Sequence, residues 1–105
     1  MNVRTAERRH NVRLAASYAA VLRDHRNRAV LARGRTADIS EHGVFLLLRP
    51  GDRLGESPSV CVTLTVPADP VAGTRRQVTY RCRVIHRLEL GNRLGLGLEF
   101  ISKLA

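Results

Sequence analysis

Three arginines stand within six residues near the start of the chain, in Arg8-Arg9-His10-Asn11-Val12-Arg13. A guanidinium is planar and always charged, and it can grip a guanine edge, a phosphate or the face of a flat ring. Lysine offers only a point charge, and Lys103 is the sole lysine among the 18 basic residues. The chemistry open to this stretch is therefore gripping an anionic or planar partner. Taken alone, the Arg9/Arg13 spacing is better described as a solvated basic arm. A second group, Asp38, Ser40 and His42, names the residue types of a catalytic triad. Three side chains within five residues of one turn are poorly placed to converge as nucleophile, base and orienter. The histidines His10, His25, His42 and His86 are scattered without metal-ligand spacing. Gly95-Leu96-Gly97 lacks the third glycine of a dinucleotide fingerprint, and there is no phosphate loop. No enzymatic constellation emerges, and no metal or cofactor is implied.

The elements that must position these residues read as strands. Met1 to Arg13 has no apolar periodicity and is expected to be a flexible arm, since Val3, Ala6 and Val12 offer too little burial to hold it down. Leu14 to Leu22 is alanine-rich, yet Ala16, Tyr18, Ala20 and Leu22 alternate, which favours a strand near 15–23 over a helix. A turn at Asp24-His25-Arg26-Asn27 leads to a second strand near 28–37. Asp38 to Gly43 should then interrupt the sheet, with Asp and Ser bonding nearby backbone and Gly43 supplying a positive φ. Val44 to Arg49 is the next strand, followed by loop from Pro50 to Ser59. Val60 to Val66 alternates, and Pro67 is expected to stop it. Val78, Tyr80, Cys82, Val84, His86 and Leu88 should share a core face, against an outer face with Arg81, Arg83 and Arg87 that reads as a solvated sheet surface. Gly91-Asn92 signals a hairpin, and Leu94, Leu96, Leu98 and Phe100 form the inward face of a last strand. Six or so short strands imply a small antiparallel barrel or sandwich.

Bulk composition bounds the partner. With 105 residues the chain makes one domain. Its longest apolar run, Val44 to Leu48, is far too short to cross a membrane, and no signal peptide is visible, so a cytoplasmic location is expected. Cys61 and Cys82 make neither a disulfide framework nor a zinc site and read as free thiols. The net charge of +9 asks for an anionic partner. Four aromatics, Tyr18, Phe45, Tyr80 and Phe100, mostly on faces that look buried, are a poor stacking platform for single strands.

Taken together, the parts form an ordered set. An Arg-x-x-x-Arg arm (Arg9, Arg13) precedes the first strand, an Asp-x-Ser-x-x-Gly turn (Asp38, Ser40, Gly43) begins 25 positions after Arg13, and a Gly-Leu-Gly-Leu-Glu-Phe strand closes the chain. In that order they resemble the PilZ domain family, bacterial receptors for cyclic di-GMP, over nearly the whole chain from Glu7 to Phe100. The resemblance implies an all-β fold, a six-stranded antiparallel β-barrel from residue 14 to 105 behind a flexible arm at 1–13. It implies that Arg9 and Arg13, with Arg8 as an extra basic residue, clamp the guanines and phosphates, and that Asp38, Ser40 and Gly43 contact the ligand from the barrel side. The chain departs from the family in leaving only five residues after Phe100, so the C-terminal helix common there is expected to be absent or very short.

The expected function is thus a non-enzymatic signalling receptor that binds cyclic di-GMP and changes its arm conformation and its contacts with an effector protein. Membrane insertion and specific nucleic-acid binding are not expected, and the chain would be a monomer or homodimer. Two other readings stand beside it: a PilZ-like adaptor that binds only protein, and a sequence-independent nucleic-acid binder drawn by charge.

Overall fold

A computed structural model describes residues 17–49, 59–69 and 71–105. The arm at 1–13, with Arg8, Arg9 and Arg13, lies outside the described residues, as do the first residues of the expected opening strand and the Pro50–Pro58 loop.

Six strands form one antiparallel closed barrel: β1 (Ala19–Asp24), β2 (Val30–Ile39), β3 (Gly43–Leu48), β4 (Ser59–Asp69), β5 (Thr74–Leu90) and β6 (Arg93–Lys103). Around the barrel they run β1-β2-β3-β6-β5-β4, and β4 returns to β1 to close the cylinder. Among the described residues there is no helix, and no helix is long and apolar enough to cross a membrane. The all-β barrel expected from the sequence is the architecture found.

The lumen is filled by the inward half of each alternating strand. Leu22, Leu46, Leu48, Val60, Val62, Leu64, Cys82 and Leu96 are all fully buried. Burying each such aliphatic chain stabilises the fold by roughly 1.5–3 kcal/mol, and closure leaves the cylinder without the open edges on which small β proteins aggregate. Tyr80 and Phe100 stack at 4.1 Å between centroids against this core. Gly91, at φ 65°, makes the expected tight turn between β5 and β6.

Both cysteines are free, as expected. Burial, with a smaller contribution from neighbouring Cys61, pushes the Cys82 thiol up to about 12. Cys61 lies on the outer side of β4 yet is only 1% exposed, with its sulfur 3.2 Å from His25 Nδ1.

Three local expectations are corrected. Pro67 does not stop β4: it pairs with Arg75, and the irregularity comes just after it, between Pro67 and Asp69. A proline is tolerated beside a bulge because the ladder is already interrupted there. Asp38 and Ile39 do not interrupt the sheet either, since β2 continues through both and pairs them with Phe45 and Val44. The core face of β5 ends at Val84. The ladder to β6 slips between Val84 and His86, so Ile85 is the extra residue, His86 pairs with Gly97 and Arg87 pairs with the core residue Leu96. His86 and Leu88 are exposed rather than inward.

Candidate functional site

Asp38 owes its position to a bulge. Counting inward residues along β2 from Ala32 by twos gives Gly34, Thr36 and Asp38, which would aim the carboxylate into the barrel. The register instead slips between Thr36 and Asp38. Ala37 is the extra residue, and the alternation reverses after it. Thr36, paired with Leu46, stays buried, while half-buried Asp38 pairs with Phe45 on the outer surface.

The turn that follows is closed by its own groups. Ser40 N–H donates to the Gly43 carbonyl at 2.9 Å, and the Ser40 hydroxyl donates to the same oxygen at 3.4 Å. That hydroxyl oxygen accepts from His42 N–H at 3.2 Å. Phe100 N–H donates to the His42 carbonyl at 2.8 Å, which ties the turn to β6. Ser40, 9% exposed, therefore braces the turn.

Gly43 does not supply a positive φ: among the described glycines only Gly73 and Gly91 have one. Its role is close approach, because a Cβ there would stand 2.2 Å from the Leu98 carbonyl oxygen of β6.

Asp38 opens onto a groove of about 270 Å³ lined also by Val44, Phe45, Ile85, His86, Gly97 and Leu98. Phe45, Gly97 and His86 line this groove, and neither sequence motif singles them out. One signal was present: a histidine on what looked like a continuous core face is a polar misfit, and such a misfit marks a change of register. A larger cleft of about 550 Å³ lies where residue 17 enters β1 and shares no residue with the groove. Its Arg35 is engaged with Ser17, through Nε to Oγ at 2.6 Å and a terminal nitrogen to the carbonyl at 2.7 Å, so it serves to anchor the entering chain.

That entry point is close to the groove. Tyr18 N–H donates to Thr36 Oγ1 at 2.9 Å, and Thr36 N–H returns a bond to the Tyr18 carbonyl at 2.9 Å. The segment leading from the arginine cluster is thus fixed two positions along β2 from Asp38. Arg83 pairs with Glu99 on the outer face, Nε at 3.1 Å with a second bond from the same guanidinium, so this arginine is partly neutralised. Among the described residues no group of three or more His, Cys, Asp or Glu side chains could hold a metal.

A six-stranded closed barrel with a groove on its outer wall, mostly apolar with Asp38 and His86 in its lining, beside the entry of a basic segment, defines a class of small binding domain. The chain belongs to the PilZ domain family, whose model matches residues 7–104. No curated protein matches it. Among solved structures it is similar to the Bacillus subtilis inhibitor of motility, MotI/DgrA, with 18% sequence identity and a TM-score of 0.72. The match covers 92% of this chain and 44% of that one, so this chain spans less than half the length of its structural neighbour. At that identity the likeness is one of fold.

Proposed function

We propose that the protein is a receptor for cyclic di-GMP, with Asp38 as the barrel-side contact and Arg8, Arg9 and Arg13 as the arm-side clamp. The observation that carries this is the bulge that turns Asp38 out into the groove, two positions from the bonds that fix Tyr18. Arg13 is four residues before Ser17, and four extended residues reach about 14 Å, enough to bring a guanidinium over the groove. An arginine can donate two bonds to O6 and N7 of one guanine, and Asp38 can accept from N1–H and N2–H₂ of the other. The ligand's phosphates also offset the mutual repulsion of the arm's arginines. In this reading the arm folds over the Ser40–Gly43 turn on binding, an effector protein reads the change, and no reaction is catalysed. The family, one of binding and adaptor domains, and the +9 charge support it. A cytoplasmic location fits a receptor for a nucleotide second messenger.

Titration calorimetry with cyclic di-GMP, with GTP and a short duplex as controls, tests the reading. The cyclic dinucleotide should bind and keep much of its affinity from low to moderate salt, whereas duplex binding held by charge alone should collapse. Salt-tolerant duplex binding without any response to cyclic di-GMP would overturn it.

The barrel side of the site makes a separable prediction. Asp38→Ala should lose about 1.5–3 kcal/mol of cyclic di-GMP binding, the usual worth of a hydrogen bond to a charged group. Ser40→Ala should act mainly on stability, lowering it by about 1 kcal/mol, because its hydroxyl is already used inside the turn. Calorimetry and thermal melts on the pair check this. Binding losses that merely follow the fall in melting temperature in both variants would make Asp38 a structural residue too.

A further inference from the structure

We propose that His86 is a specificity-determining contact, donating a hydrogen bond to N7 of the guanine whose opposite edge Asp38 holds. This assignment rests on the cyclic di-GMP reading and adds a residue that lies outside both of the motifs read in the sequence.

The first support is the register. Asp38 pairs with Phe45, Phe45 with Gly97, and Gly97 with His86, so four residues on β2, β3, β6 and β5 make one continuous row on the outer wall. The second is that both polar ends of the row are there because of a bulge. Ala37 turns Asp38 outward and Ile85 turns His86 outward, in two strands that are not neighbours. Bulges concentrate beside functional sites because they re-aim a side chain. Removing either bulge would send one of these polar groups toward the core.

The third support is the space between them. Phe45 leans along the barrel over Gly95, where its ring edge would lie 2.6 Å from a Cβ, and no Phe45 atom is among the nearest neighbours of a Cβ at Gly97. At Gly97, a buried residue lining the groove, a Cβ would stand 3.0 Å from His86 Cβ, so a side chain there would crowd His86 out of its place in the row. Three inter-strand gaps separate β2 from β5, roughly 14 Å. A purine about 5 Å across, with a hydrogen bond of about 2.9 Å at each edge, occupies most of that span, and the two side chains take up the rest. Guanine presents N1–H and N2–H₂ donors on one edge and the N7 acceptor on the other. A carboxylate accepts only and an imidazole N–H donates, so the row offers the complementary order.

The test uses the full chain, cyclic di-GMP and its 7-deaza analogue, in which each N7 is replaced by a carbon that accepts no hydrogen bond. Wild type should bind the analogue at least about tenfold more weakly. His86→Ala should bind cyclic di-GMP about tenfold more weakly and should distinguish the two ligands about tenfold less than wild type does, keeping only the share owed to the arginine on the other guanine. His86→Gln, which keeps an N–H donor, should recover part of both. Melting temperatures should be unchanged, because His86 is exposed. Wild-type affinity in His86→Ala alongside a loss in Asp38→Ala would overturn the assignment while leaving the receptor reading intact, as would an undiminished preference for N7 in His86→Ala. Wild type that fails to bind cyclic di-GMP at all would overturn both.

Discussion

Gly43→Ala should destabilise the barrel by about 3 kcal/mol, at the upper end of what a single added methyl costs in a packed site. The added carbon would meet the Leu98 carbonyl oxygen at 2.2 Å and its carbonyl carbon at 3.3 Å. Both atoms are backbone, and both belong to the ladder in which Gly43 pairs with Glu99 and Val44 with Leu98. A side chain could swing aside; this carbonyl can move only if β6 moves, and β6 is held on its other side by β5. Against a total stability of roughly 5–15 kcal/mol for a domain of this kind, the loss is large. Urea denaturation checks it: the midpoint should fall with little change in slope. An unchanged midpoint would mean that β3 and β6 do not approach as described. Because the glycine's open side is occupied by protein, any loss of cyclic di-GMP binding in this variant should follow the folded fraction.

Arg9→Ala and Arg13→Ala should each lose at least ~1.5–3 kcal/mol of cyclic di-GMP binding, the range for charge-assisted hydrogen bonds. That is roughly a tenfold to hundredfold weaker dissociation constant for each. The two losses are not expected to add, because both guanidinium groups would grip one ligand. Melting temperature should stay where it is. Among the described residues the buried cluster runs from Ala20 and Leu22 through Leu46 and Val62 to Leu98, and the arm's sequence offers little apolar surface to add to it. Calorimetry on both single variants and the double variant, with a thermal melt of each, separates the outcomes. If both single variants bind like wild type, the arginine pair is a solvated tail and the clamp is wrong.

The strands were legible because their periodicity is local. The alternation Val60, Val62, Leu64 marked β4, and Val78 to Val84 marked the core half of β5, since each inward position shows up in sequence as an apolar residue two steps from the last. The turn at Gly91 was legible because few residues adopt its backbone. What could not be read were the bulges. Ala37 and Ile85 are ordinary strand residues, and nothing in their type says that each is one too many for its partner strand. Yet each reverses the face of every residue after it until the next slip. So the sequence supplied Asp38 as a candidate without saying which way it points, and it placed His86 on the wrong face. The positive φ expected of Gly43 is not found, and its close approach to β6 could not be read because it depends on a pairing more than fifty residues apart. Closure of the cylinder was likewise beyond local pattern, and the family resemblance provided it.

Closure also has a kinetic side. β1 is held by β2, its neighbour in the chain, and by β4, with Ala19 opposite Thr65. The outer row from Asp38 to His86 joins β2 and β3 to β6 and β5, strands from opposite halves of the chain. Neither seam can be sealed until most of the polypeptide is present, and the entropy of closing such loops must be met before their contacts form. Maturation should therefore be slow for so small a domain, on the order of milliseconds to seconds, as for other folds dominated by distant pairings. A nascent chain that has made only β1 to β4 would carry Asp38 and the arginines but no groove, so on the receptor reading proposed above it could not bind its ligand until the last hairpin docks.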